Sequence, residues 1–403
     1  MTRQIVYKAF ILLSSISIAF IPILHVARHF LFIWALFAIL YLILFKKLTL
    51  DAFSLNWLLL PFFYIIHALS LIYTNNLHSG IFDLEVKLSF IAIPFLFYLW
   101  SKEIDKVLIK KLENIYLYTI LTLLVLLIIR AIYLFLKTHK NQYFYYNDLS
   151  FIYHPSYLAL YITLAVIFVL NKIANSDNKL TSNILNSFIL VFLLIFLYFL
   201  SSKAGIIITS IVIFLHVLFK LSFIRRIYIK IIIINILIGA IFSIFSLKFN
   251  SRFYSVESSI KNANKNVETS ESTASRILVW EAGISLIKQN WLLGVGCGDV
   301  NDILVSEYIK RNMTGAIEKR LNLHNQFLET WLSLGIIGIL YLIFLLIYPA
   351  YLAWKNKKIS WLLFIIAVSL NFLFETMLNT QAGVIFISYF YYFFFIELKT
   401  EVK

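Results

Sequence analysis

Charge, proline, glycine and cysteine are all scarce in this 403-residue chain. Only 14% of its residues are charged, whereas a soluble domain carries about a quarter. Five prolines and eleven glycines are too few for the many turns of an all-β protein. The apolar stretches do not alternate with polar residues, which excludes an outer-membrane barrel. A single cysteine, Cys297, rules out an internal disulfide and the paired-cysteine metal patterns. No small-residue cleavage site follows the first apolar run, residues 5–24, so that run reads as a retained span and not as a signal peptide.

Apolar residues fill the chain instead: 61% are hydrophobic and 17% aromatic. They come in runs close to the roughly 20 residues that a helix needs to cross the hydrocarbon core. The expected fold is an all-α, polytopic bundle of about twelve transmembrane helices. The predicted spans are 5–24, 30–45, 53–72, 86–100, 113–136, 154–171, 183–201, 204–220, 227–247, 326–349, 359–379 and 381–396. A net charge of +15 would suggest nucleic acid for a soluble protein, but in a membrane protein the position of the charges matters more than their sum. Basic residues crowd alternate short loops, among them Lys46, Lys47, Lys102, Lys106, Lys110, Lys111, Arg225, Arg226, Lys355, Lys357 and Lys358. The positive-inside rule then puts both termini in the cytoplasm. No nucleic-acid partner is expected; membrane lipids are.

One segment interrupts the pattern. Residues 248–325 form a long polar loop on the face away from the cytoplasm, between spans 1–9 (residues 1–247) and spans 10–12 with a cytoplasmic tail (residues 326–403). Residues 255–275 are rich in Ser, Asn, Glu and Lys and lack apolar residues to pack, so they read as a mobile tether. Residues 276–323 read as a folded helical cap. Ile277, Trp280, Ile284 and Ile287 share one helical face, Ser275 stands where an N-cap would, and a second helix runs to about Arg311.

Chemistry-bearing residues collect at the same end. His154 and Tyr157 sit at the mouth of the sixth span, and Lys203 in the tight turn after the seventh. Arg252, Arg276, Trp280 and Gly294, Gly296 and Gly298 lie in the loop, and His324, Asn325 and Gln326 stand where it re-enters the membrane. Each has a plain structural reading as well. Lys203 is either a snorkelling, solvated end or a cation held at a site. Arg252 and Arg276 read equally as surface charges, and His154 before Pro155 as a helix-entry residue. The glycines lack the Lys-Ser/Thr of a phosphate loop. His324 is harder to dismiss, because a histidine between a polar loop and an apolar span exchanges protons near neutral pH. Glu329, Glu375 and Arg130 are further polar groups in or near spans, where such groups default to functional candidates.

Three features in order carry a resemblance: R-x-x-x-W at Arg276 and Trp280, G-x-G-x-G at Gly294, Gly296 and Gly298, and H-N at His324 and Asn325. With about twelve spans and one late loop, the chain resembles the O-antigen ligase and polymerase superfamily over nearly its whole length. The resemblance implies a glycosyltransferase of lipopolysaccharide biosynthesis in the bacterial inner membrane, active on the periplasmic side and needing neither metal nor cofactor. It implies a polyprenyl (undecaprenyl) pyrophosphate-linked glycan as donor and lipid A–core or another glycan as acceptor. His324 would be the base, with Arg276 and Lys203 meeting the leaving pyrophosphate. Arg252, Trp280, His154, Tyr157, Asn325 and Gln326 would bind substrate. Lys203 departs from the family's more usual arginine and gives up the bidentate fork. A Wzy-type polymerase shares these features. A lipid-linked oligosaccharide flippase is the rival of another class, but it would show internal repeats and broken helices.

Overall fold

The computed structural model describes residues 3–22, 24–45, 54–101, 104–151, 153–175, 180–220 and 274–401. Arg252, the predicted ninth span and the predicted tether up to residue 273 lie outside them. The described residues form helices α1 (Arg3–Phe20), α2 (Leu24–Phe45), α3 (Leu59–Ser70, after a 3-10 turn Leu55–Leu58), α4 (Leu77–Lys87), α5 (Ser89–Trp100) and α6 (Lys106–Thr138). After these come α7 (Tyr146–Ser150), α8 (Pro155–Asn175), α9 (Leu180–Phe199) and α10 (Lys203–Lys220). Past residue 273 are α11 (Ala274–Gln289), α12 (Val300–Lys310), α13 (Thr314–Glu318), α14 (Gln326–Lys355), α15 (Ile359–Asn371) and α16 (Gln381–Glu401). Among the described residues, six stretches are long and apolar enough to cross a membrane: Lys106–Thr138, Pro155–Asn175, Thr181–Phe199, Lys203–Lys220, Gln326–Lys355 and Gln381–Leu398. Shorter apolar helices accompany them. The chain is an all-α, polytopic membrane protein.

Local signals explain the helix ends. Asp105 caps α6 by accepting from the Leu108 amide at 2.7 Å, and His139 closes it in the left-handed region. Asn76 caps α4, and Asn325 caps α14 by accepting from Phe327 and Leu328. Pro155 opens α8, where its missing N–H costs nothing.

Helices α8 and α16 are buried along most of their length and form the spine. Lipid tails are as apolar as the spans, so close packing and interhelical hydrogen bonds must hold such helices together. Both are present. Gly205 of α10 lies so close to α8 that an added Cβ would stand 2.3 Å from the Ala159 Cβ. Thr163 and Thr209 join the same helices at 2.8 Å. The Tyr116 hydroxyl donates to the Tyr161 carbonyl, and the Tyr161 hydroxyl to that of Ala382. Aromatic residues of α16 fill the remaining space: Tyr389 meets Trp34 and Phe97, and Tyr392 stacks on Trp57.

Helices α11–α13 build a separate small core from Val279, Ala282, Leu286, Leu304, Tyr308 and Leu323. The sequence placed the buried face of α11 at Ile277, Trp280, Ile284 and Ile287. Ile287 is buried, but Ile284 is exposed and the face turns through Val279, Ala282 and Leu286. The small pair Ala282–Gly283 decides this, because Gly283 admits Leu323 where a Cβ would stand 2.5 Å from it. Ser275 lies inside the first turn and is not the N-cap, since α11 begins at Ala274.

The fourth predicted span, 86–100, is met by α5 (Ser89–Trp100), and a helix that was not predicted, α4, precedes it from Leu77 with Asp83 and Lys87 drawn inward. The predicted span 359–379 ends early, at Asn371, which leaves Glu375 in a connection and not in a helix. The predicted span 326–349 runs on to Lys355 and breaks at Gly335, whose φ of 66° and ψ of −159° are open essentially to glycine alone. From Gly335 to Lys355 the helix rises about 30 Å, enough by itself to cross a bilayer. The break frees the Leu332 and Ser333 carbonyls, which accept from Val295 and Gly296 at 2.8 and 2.9 Å. The amide of Ile336 donates in turn to the Leu292 carbonyl.

The glycine-rich turn therefore docks backbone on backbone. Gly294 and Gly296 have positive φ, and an added Cβ would strike the Ser333 carbonyl or Thr74. Gly335→Ala is expected to destabilise the protein by at least about 1–3 kcal/mol from the backbone alone, with more from a Cβ 2.2 Å from the Leu292 oxygen. Thermal unfolding in detergent checks it.

Candidate active site

Four separate elements meet at one carboxylate. Ser156 is the second residue of α8, Arg276 lies in the first turn of α11, and His324 immediately precedes the Asn325 cap of α14. Glu375 sits between α15 and the 3-10 turn Met377–Asn379. Arg276 Nη2 is 2.8 Å from Glu375 Oε1, and Ser156 Oγ donates to the same oxygen at 3.0 Å. His324 Nδ1 is 3.4 Å from Oε2, and His154 Nδ1 is 3.8 Å from Oε1. Burial pushes the Glu375 carboxyl up. The hydrogen bond from His324, with the charges of His154, Arg276 and His324, outweighs burial and holds it below the ordinary range. With Nδ1 facing a carboxylate, the imidazole of His324 keeps its proton there and presents Nε2 as the acceptor.

The backbone at His324 is strained, with φ at 45°, and several groups hold it. Its amide donates to Asn322 Oδ1 at 2.9 Å. On one side of it, the Leu323 amide donates to buried Glu329, and the Leu323 carbonyl accepts from Trp280 Nε1 at 2.7 Å. On the other, Asn325 Nδ2 reaches the Leu373 carbonyl, the Gln326 amide reaches that of Phe372, and Gln326 Oε1 accepts from Leu378. Asn379 completes the stitching by donating to Glu329 Oε1 at 2.8 Å. Trp280, Asn325 and Gln326, predicted to bind substrate, are here engaged in fixing the segment that carries His324.

At the rim, His154 Nε2 is 3.4 Å from the Tyr146 hydroxyl, and Tyr157 reaches the Thr376 carbonyl. Lys203 opens α10 behind Ser202, which caps that helix through Gly205. Since Gly205 touches Ala159, one turn below Pro155, Lys203 stands at the same corner of the bundle as His154. Arg130 lies apart from Glu375, its guanidinium 3.9 Å above the Phe151 ring and donating to the Asp148 carbonyl.

Sequence reading did not single out Ser156, nor Glu375 as the centre. The signal for Glu375 was a lone acid beside a long apolar run. A second buried group was also missed: His67 Nδ1 lies 3.2 Å from Asp83 Oδ2, and Lys87 bonds the other oxygen. Its signal was the spacing of Asp83 and Lys87 on one helical face. Among the described residues, no three His, Cys, Asp or Glu side chains are grouped to hold a metal ion.

Residues 188–343 match the family described as O-antigen ligase. Over that stretch the chain is similar to the O-antigen ligase family. The matched stretch contains Lys203, Arg276 and His324, while His154, Ser156 and Glu375 fall outside it. Members are enzymes of the glycosyltransferase type that work as ligases or polymerases. The chain is also similar to an uncharacterized protein of Haemophilus influenzae, 27% identical over 137 residues, which is 34% of each chain. It thus spans about a third of the length of that relative.

Proposed function

We propose that this chain, similar over residues 188–343 to the O-antigen ligase family, is a member of it and transfers a glycan from a polyprenyl pyrophosphate carrier to a hydroxyl of lipid A–core or a comparable glycan acceptor. It works on the face of the bacterial inner membrane away from the cytoplasm. The observation that carries the reading is the convergence of His324 and Arg276 on Glu375. An acceptor hydroxyl attacks the anomeric carbon, and its proton passes to His324 Nε2. The bond from that carbon to the pyrophosphate oxygen breaks, and the negative charge leaves with the lipid pyrophosphate. Arg276 meets that charge, assisted by Lys203 and by Arg252. Glu375 holds Nδ1–H and balances the imidazolium that forms. His154 and Tyr157 line the rim where the first sugar would lie.

Purified protein given carrier-linked glycan and acceptor in detergent is expected to form the joined product. No membrane separates two compartments there, so failure to form product would favour the flippase reading. A product lengthened on the carrier itself would identify a polymerase. Arg276→Ala should lower turnover by about 10²–10³, the range seen when one donor to a developing anion is lost. Arg276→Lys should recover only part of it, because the fork is lost.

A further inference from the structure

The turn between α11 and Gly294 consists of Trp291, Leu292 and Leu293, each more than half exposed. Three consecutive large apolar side chains on a water-facing loop would be costly. The backbone beneath them argues for a different surrounding. The carbonyl of Trp291 accepts from Trp331 Nε1 at 3.1 Å, that of Leu292 from the Ile336 amide at 3.2 Å, and that of Leu293 from the Tyr73 hydroxyl at 2.7 Å. A loop in water can leave its carbonyls to solvent. In hydrocarbon, an unsatisfied one costs several kcal/mol, and irregular backbone persists only where protein satisfies it.

The neighbours point the same way. The donors come from the end of α3 and from α14 on both sides of its break. Exposed apolar side chains continue along both elements, Leu69 and Ile72 at the end of α3 and in the turn after it, and Ile337 and Leu340 on α14. The turn is thus continuous with the exposed apolar surface of α3 and of the span α14. Elsewhere on the cap, exposed apolar residues such as Ile284 and Ile309 stand singly among polar ones.

We propose that Trp291, Leu292 and Leu293 form a hook immersed in the membrane leaflet on the cap side, its occupant the upper acyl chains of that leaflet. The cap is then anchored in lipid, and through the hydrogen bonds at the break it steadies the helix whose cap adjoins His324.

The full-length chain with Cys297→Ala lacks its native thiol. In that background, Leu292→Cys and, separately, Ser306→Cys on the exposed side of α12 each carry an environment-sensitive fluorophore. They are reconstituted in phosphatidylcholine nanodiscs. The label at 292 is expected to lose most of its emission to a nitroxide placed high on the acyl chain and to resist an aqueous reductant. The label at 306 should do the reverse. Bleaching at 292 as fast as at 306 overturns the hook. So does protection without nitroxide quenching, which would mean that a second copy or residues 221–273 cover the turn. A diazirine-tailed phospholipid provides a readout on the unsubstituted chain. Crosslinks to the peptide containing residues 291–293 are expected, and their absence overturns the proposal.

Discussion

His324→Ala is expected to abolish measurable glycan transfer while leaving expression, insertion and the helical content unchanged. A positioned general base contributes about 10²–10⁴ in rate, and without it an acceptor hydroxyl remains a poor nucleophile. The imidazole is partly open to solvent and bonds only through Nδ1 to Glu375 among the described residues, so its removal costs little packing. The loss should fall on kcat, with the binding of carrier-linked glycan to the variant nearly unchanged. Full activity in His324→Ala would remove histidine from the mechanism altogether. Unchanged product formation in Arg276→Ala would be needed as well to dismantle the site as a whole.

Glu375→Ala should be the most damaging single change to the fold of the site. Breaking a buried ion pair by removing one partner typically costs about 3–5 kcal/mol. Here Arg276 would be left facing His154 and His324 with no counter-charge among the described residues. The expected result is a lower melting temperature together with lost activity. Glu375→Gln separates the two roles, because an amide keeps the shape and loses the charge. It should retain more stability than alanine and still turn over slowly.

The pH dependence has a definite sign. The Glu375 carboxyl is held below the ordinary value of 4.5. Its contribution is therefore fully present above that value and is lost as pH falls through the lowered folded-state value. Melting temperature measured through this acidic window should fall in the wild-type protein and stay flatter in Glu375→Gln. Equal slopes in the two would mean that other carboxylates dominate acid unfolding.

Much of the bundle was legible because span length and hydropathy are local properties. His324, Arg276 and Lys203 were legible as polar residues at the borders of apolar runs. The cluster itself was not, because Arg276 and His324 stand 99 and 51 residues from Glu375 in the chain. No periodicity reports a contact of that range. Helix α4 was missed for a related reason. Asp83 and Lys87 look like the end of a span when read singly, and only their pairing with each other and with His67 lets them lie buried. The glycines at 294, 296 and 298 suggested an anion cradle weakly and proved to be spacers for a backbone contact. Gly294 and Gly296 match the break at Gly335, about forty residues later in the chain, while Gly298 lies against the Asn76 carbonyl and the Gly80 amide.

One carboxylate serving both Arg276 and His324 makes them rivals for the same charge. In the proposed reaction, a pyrophosphate that draws the guanidinium towards itself leaves Glu375 to His324, with Ser156 and His154 still beside Oε1. The imidazolium created by proton transfer would then share its counter-ion with one cation fewer when a donor is present than when it is absent. In the proposed reaction, activation of the acceptor would thus be tied to occupancy by the donor, which would guard a carrier-linked glycan against idle hydrolysis.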